Sequence, residues 1–235
     1  MVTKTFNPVK KKYALNNSYF KGNYGGYSQR PVTPYEVLLY YKQHGELPFA
    51  YNGDNWLYDC YCEYQKRNGV YHSQFFTPDA TAERMAEIAF DYFDEEKPVL
   101  DACCGFGQLT RALLKEGFQA YGYDFSYEMV ELFKEYTKCD AAHTDFQSFN
   151  VKYKNIMSNP PYEVPLLTEF LECTYNILED DGTLILLIPN GFIDKTRPKR
   201  TADILAKYRL LYSEPMTEEF LRTKVHCEIV VLEKR

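Results

Sequence analysis

From residue 98 onward the chain alternates short apolar runs with stretches of helical period, and this limits its fold more than any other feature. The apolar runs fall at 98–102, 119–123, 139–143, 153–158 and 183–188. Between them, segments 108–116, 126–136 and 165–178 space their apolar residues three and four apart, as helices do. Short strands joined through helices pair in parallel, because a parallel return needs a crossover that covers the sheet face. Only a short link joins the third run to the fourth. The last two runs, 208–214 and 228–232, have no full helix between them and read as an antiparallel pair at the sheet's end. The expected class is α/β, a mostly parallel sheet with an antiparallel C-terminal strand pair. An amphipathic helix precedes it, with Ala82, Met85, Ala86, Ala89, Phe90 and Phe93 along one stripe.

The first 72 residues differ in character. Residues 1–32 show no apolar period, and Tyr13, Phe20, Tyr24 and Tyr27 alternate with cations. Thr33-Pro34-Tyr35-Glu36 carries the signals of a helix start, a Thr cap with Pro next and an acid three residues on. That helix is expected to end at Gly45, and a second to run from Asn55 to Arg67. The expected organisation is therefore a basic, Tyr-rich arm and small N-terminal helical extension over 1–72, then one domain over 73–235. The net charge is −6, yet residues 1–35 carry six cations and no acid, so the rest of the chain holds −12. A basic aromatic arm on an acidic body suits a nucleic-acid partner, since phosphate attraction is local and rings stack on bases. No apolar run is long enough for a membrane span, and the N-terminus lacks the apolar core of a signal peptide. Seven cysteines without framework spacing indicate reduced thiols and a cytoplasmic location. Cys60-x-Cys62 lacks the spacing and second half of a zinc site, so no metal is expected.

Candidate functional residues stand where the strands end. Asp101-Ala102-Cys103-Cys104-Gly105-Phe106-Gly107 leaves the first strand and opens a helix, the place where ligands of open parallel sheets sit. The glycines allow close backbone approach to a ligand. Thr110 stands where a dinucleotide fingerprint needs a third glycine, and no lysine follows Gly107 as in a triphosphate-binding loop. A nucleoside ligand without phosphates fits better, and S-adenosylmethionine is the obvious one. The second strand ends at Asp124, a carboxylate able to accept from ribose hydroxyls. The third ends near Asp145-Phe146, an acid for an adenine amine and a ring to stack on it. The fourth ends in Asn159-Pro160-Pro161-Tyr162, a stiff corner because each proline fixes its φ and lacks an N–H. The Asn159 amide oxygen and the Pro160 carbonyl offer two neighbouring acceptors for a planar amine, either adenine N6 or a glutamine amide, with Tyr162 placed to stack.

Together these residues resemble the adenine-N6 DNA methyltransferases, in the order of motifs that puts cofactor binding before catalysis (the gamma class). Phe76-Thr77-Pro78 resembles that family's first cofactor motif, and residues 99–107 its Gly-rich loop. The resemblance implies a Rossmann-like S-adenosylmethionine methyltransferase fold. It implies cofactor contacts at Phe76, Thr77, Asp101, Cys103, Gly105, Gly107, Asp124, Phe125, Asp145 and Phe146. It implies catalysis by Asn159, Pro160, Pro161 and Tyr162, with Tyr162 and Phe220 stacking on the target base from opposite sides. The expected activity is methyl transfer from S-adenosylmethionine to adenine N6 in DNA. Adenine in RNA, glutamine N5 in a protein, and a non-catalytic cofactor-binding subunit are the alternatives. Gamma-class members usually continue into a recognition domain, whereas this sequence stops at Arg235, so a specificity or restriction partner protein is a further expectation.

Overall fold

The computed structural model describes His44 and residues 75–195, 197–216 and 225–235. The Tyr-rich arm, the two N-terminal helices, Cys60-x-Cys62 and Phe220 lie outside the described residues. Phe75–Arg235 forms one compact unit. Its elements in chain order are α1 (Asp79–Tyr92), β1 (Val99–Ala102), α2 (Gln108–Lys115), β2 (Ala120–Asp124), α3 (Tyr127–Thr137), β3 (Ala141–His143), a 3-10 turn (Phe146–Ser148), β4 (Tyr153–Ser158), α4 (Val164–Ile177), β5 (Leu178–Pro189), α5 (Lys199–Leu205), β6 (Tyr208–Pro215) and β7 (Cys227–Lys234).

The seven strands form one sheet in the order β3-β2-β1-β4-β5-β7-β6. The first five are mutually parallel, and β7 runs antiparallel to both β5 and β6. The chain builds outward from β1 through β2 to β3, then returns to β1's other side with β4. That reversal opens a crevice at the carboxyl ends of β1 and β4, where open α/β sheets bind their ligands. It sets the Gly-rich loop beside Asn159. This is the Rossmann-like methyltransferase fold anticipated above.

The central strands β1, β4, β5 and β7 are largely apolar because both of their faces are covered, whereas the edge strands β3 and β6 are exposed or half-buried over most of their length. Val99, Met157, Ile185, Leu187, Ile229 and Val231 point to the face packed by α1 and α2. Leu100, Ile156, Leu184, Leu186, Ile188, Val230 and Leu232 point to the face packed by α4. A fully buried side chain of this kind contributes about 1.5–3 kcal/mol, so each face is fixed in register by its alternation.

Two elements depart from expectation. β5 begins at Leu178, earlier than 183, because α4 stops at Ile177 and Leu178 turns extended to pair with Tyr153. Asp181, at φ +56°, and Gly182 then bulge the strand before Thr183 resumes pairing with Asn155. The helix α5 was not anticipated. It is seven residues long and buries only Thr201 and Ile204, too few apolar positions to leave a period.

Candidate active site

The carboxyl ends of β1, β2 and β3 bring three carboxylates to one edge of the sheet. Asp101 is fully buried. Its Oδ2 accepts hydrogen bonds from the Thr110 backbone N–H at 3.2 Å and the Thr110 hydroxyl at 2.7 Å. Its Oδ1 is buried with no hydrogen-bond partner among the described residues. Burial, opposed only in part by Thr110, pushes the Asp101 carboxyl up to about 7. Thr110, legible in the sequence only as a missing glycine, therefore ties α2 to β1. Asp124 closes β2 and is also buried. Its two oxygens accept from the backbone N–H groups of Gly105 at 3.0 Å and Ser126 at 2.9 Å. Asp145 is exposed and caps the 3-10 turn through Gln147 N–H at 3.1 Å. Beside it, Phe146 meets Phe170 edge-on at 5.7 Å. Phe125 is about half exposed, at 48 %.

The loop joining β1 to α2 doubles back through three left-handed residues, Cys103 (φ +63°), Gly105 (φ +51°) and Gly107 (φ +86°). Packing by itself already requires glycine at both positions. A Cβ on Gly105 would lie 3.2 Å from the Phe76 ring, and one on Gly107 would lie 2.3 Å from Thr137 Cγ2 and 2.9 Å from Phe133. α3 presses on Gly107 and Phe76 covers Gly105. Phe76 also stacks on Phe106 with ring centres 4.0 Å apart. Burial, reinforced by the Asp124 charge, holds the Cys103 and Cys104 thiols well above their usual range, so both are protonated at neutral pH.

At the end of β4, the Ser158 hydroxyl donates to the Ala102 carbonyl and ties the Asn159–Tyr162 corner to the Gly-rich loop. Asn159 Nδ2 donates to the Phe75 carbonyl at 2.8 Å and to Thr77 Oγ1 at 3.2 Å. Those two bonds turn the amide oxygen toward Tyr162, whose hydroxyl donates to Asn159 Oδ1 at 2.8 Å. The Cys227 thiol lies 3.5 Å from the same hydroxyl, and burial raises that thiol to about 11. Thr77, expected beside the cofactor, thus orients Asn159, and Tyr162 occupies the amide acceptor. Pro160 is buried and Pro161 half-buried beside them.

The residues directly after β1, β2 and β3 include no lysine or arginine. A row of acceptors at the strand ends suits a cationic nucleoside bearing hydroxyls and amines. A family profile described as a methyltransferase domain matches residues 71–222, well over half of the chain. The chain belongs to that family. It is an S-adenosylmethionine-dependent methyltransferase.

Solved structures similar to this methyltransferase share its fold. One is a candidate RNA methyltransferase from Pyrococcus horikoshii, 20 % identical with a TM-score of 0.56, covering 69 % of this chain and 87 % of that one. Another is the modification subunit of a candidate type I restriction enzyme from Vibrio vulnificus, 14 % identical with a TM-score of 0.57. There the match covers 78 % of this chain but 50 % of that one, so this methyltransferase spans half the length of that subunit. A third is magnesium protoporphyrin IX methyltransferase from Synechocystis, solved with S-adenosylmethionine, 16 % identical with a TM-score of 0.54, covering 67 % of this chain and 79 % of that one. No curated protein sequence matches the chain. Among the described residues, no helix is long and apolar enough to cross a membrane, and no cluster of three metal-ligating side chains occurs.

Proposed function

We propose that this methyltransferase acts on the N6 amine of adenine in DNA. The observation that carries the reading is the Asn159-Pro160-Pro161-Tyr162 corner, held at the sheet's reversal point beside the Gly-rich loop by Ser158, Phe75 and Thr77. S-adenosylmethionine supplies an electrophilic methyl group on its sulfonium. Asp101, Asp124 and Asp145 with Phe76, Cys103, Phe125 and Phe146 would hold it. Asp124 serves the ribose hydroxyls, and Asp145 with Phe146 serves the adenine ring. Gly105 and Gly107 shape the loop that carries the acids.

Asn159 Oδ1 and the Pro160 carbonyl accept the two hydrogens of the substrate amine. Accepting both turns the nitrogen lone pair out of conjugation with the ring and toward the methyl group. To reach that geometry the amine replaces the Tyr162 hydroxyl on Asn159 Oδ1, and the freed ring stacks on the base. Stacking of this kind is worth about 1–3 kcal/mol and offsets part of the cost of flipping the base out of a duplex. The two prolines leave the corner without backbone donors that would compete for the same acceptors. The protonated thiols at Cys103 and Cys104 are not nucleophiles, so the amine nitrogen would take the methyl group directly. The methyl group's bond to the sulfonium breaks and leaves a neutral thioether, and the nitrogen's extra proton would pass to water. Phe220, the expected second stacking ring, lies outside the described residues. A specificity or restriction partner would supply the recognition of flanking sequence.

Methyl-labelled S-adenosylmethionine offered with DNA, total RNA and protein, followed by nucleoside and amino-acid analysis, tests the reading. Label in N6-methyldeoxyadenosine is the expected result. Label confined to RNA adenine or to protein glutamine would overturn it.

A further inference from the structure

The loop beyond β5 carries the opposite charge from the loops beyond β1, β2 and β3. Lys195, Arg197, Lys199 and Arg200 place four cations within six residues. This loop sits on the same edge of the sheet as Asn159. Ser158 pairs with Leu186 across the β4–β5 ladder, so Pro189 ends its strand next to the corner that Asn159 opens. Neighbouring strands lie about 4.8 Å apart. Across one edge the order is therefore carboxylates on β3, β2 and β1, the neutral amide corner on β4, and cations after β5.

The basic loop is built rather than loose. Phe192 is buried in the α4-side core at 2 % exposure. Gly191 N–H donates to the buried Glu228 carboxylate at 2.9 Å, and Asn190 N–H donates to the His226 carbonyl at 2.9 Å. Arg197 lies over the Phe192 ring at 4.1 Å and donates to the Phe192 carbonyl at 3.0 Å, so it braces the loop. Lys195, which reaches back to the Asn190 carbonyl at 3.0 Å, and Lys199 and Arg200 are exposed. Arg200 pairs with Glu172 on α4. An exposed pair like this is worth less than about 1 kcal/mol and yields to a stronger anion. Asp194 and Asp203 flank the basic stretch in sequence, and both are exposed. Asp203 and Glu172, with Lys207, line the same surface cleft as Lys199 and Arg200, so Lys195 stands outside the cleft that holds these acids.

We propose that Lys195, Lys199 and Arg200 form a docking surface for the phosphodiester backbone of DNA, holding the strand that delivers its base to Asn159. The choice of DNA as the polyanion rests on the proposed reaction. The physical logic is separation of charge. A cationic cofactor is drawn to the acid half of the edge and an anionic substrate to the basic half, and the two meet at the uncharged corner between them. The body outside residues 1–35 is net acidic, so a local group of cations is a favoured point of approach for a polyanion on it.

Binding of a fluorescein-labelled DNA duplex, measured by anisotropy across a salt series with S-adenosylhomocysteine present, tests the surface on the full chain. K195E/K199E is expected to weaken binding about tenfold or more. It should also flatten the slope of log affinity against log salt by about 2, near 0.9 for each phosphate no longer neutralised. Cofactor affinity should stay unchanged, since neither lysine lies on the acid half. The control K97E/K115E carries the same charge change at the opposite edge and should leave binding as in the wild type. Equal weakening by both pairs, or no weakening by the first, overturns the proposal. So does an RNA of the same sequence binding through these lysines when DNA does not. A chain that binds DNA through them yet leaves its adenines unmethylated would sink the proposed reaction and leave the surface standing. Intact methylation with unchanged binding would do the reverse.

Discussion

Asn159 is gripped on both sides of its amide, and the two sides predict different variants. Its nitrogen is fastened to Phe75 and Thr77, and its oxygen holds the Tyr162 hydroxyl. On the proposed reaction Asn159→Ala removes the acceptor for the substrate amine, and transfer should fall by about two orders of magnitude or more, as when a hydrogen-bonding group is deleted at other reacting centres. Cofactor affinity, measured calorimetrically, should remain within a few-fold. A tenfold loss, about 1.4 kcal/mol, would mean that Asn159 serves the cofactor instead. Tyr162→Phe keeps the ring and deletes the hydroxyl that the substrate must displace. One hydrogen bond is worth about 0.5–1.5 kcal/mol, so KM for DNA should fall roughly two- to tenfold with kcat unchanged. A raised KM in steady-state kinetics would show that the hydroxyl contacts the substrate directly.

At the scale of elements, the cofactor edge depends on how closely α3 can approach β2. Gly122 lies in the middle of β2, and a Cβ there would sit 2.7 Å from both Cys104 Sγ and the Phe133 ring. Phe133 is fully buried on α3, and Gly107 meets the same edge of its ring. The two glycines are therefore a packing device that seats one phenyl ring under the Gly-rich loop. Gly122→Ala adds one methyl group to a filled space without any backbone strain, since Gly122 is not left-handed. It should destabilise the protein by about 1–3 kcal/mol in urea unfolding, the usual cost of overpacking. Combining it with Phe133→Leu should recover part of the loss. A Gly122→Ala protein as stable as the wild type would mean that α3 can shift without cost.

For the whole molecule, the buried Asp101 carboxyl couples stability to pH. In the fold it keeps its proton up to about pH 7, against 3.8 for the unperturbed group. A carboxyl raised in this way contributes stability that is complete below about pH 4 and is lost as pH rises to 7, because the native state binds the extra proton in that window. The loss is of the order of 4 kcal/mol for the shift concerned. The urea midpoint of the cofactor-free protein should therefore fall between about pH 4 and pH 7. Asp101→Asn, which stays neutral and can still accept from Thr110, should flatten that fall. Identical pH profiles for the two proteins would show that Asp101 is ionised throughout.

The alternation of apolar runs and helical periods was enough to read the sheet, its parallel sense and the antiparallel strand near the C-terminus, because both faces of the sheet are buried and burial leaves a periodic trace. The acids and the amide at the strand ends were legible for a related reason: the ends of parallel strands converge on one edge whatever the intervening helices contain. The start of β5 and the helix α5 were not legible, since a bulge at Asp181-Gly182 and a helix burying two side chains leave no period. The sequence marked Gly107, Thr77 and Tyr162 as functional residues, but their neighbours come from chain segments distant in sequence. Only the packed structure brings Thr137 against Gly107, Phe75 against Asn159, and Cys227 against Tyr162. Nor does the order of residues reveal that the cations after β5 share an edge with Asn159. That follows from strand pairing, a property of the assembled sheet rather than of any one segment.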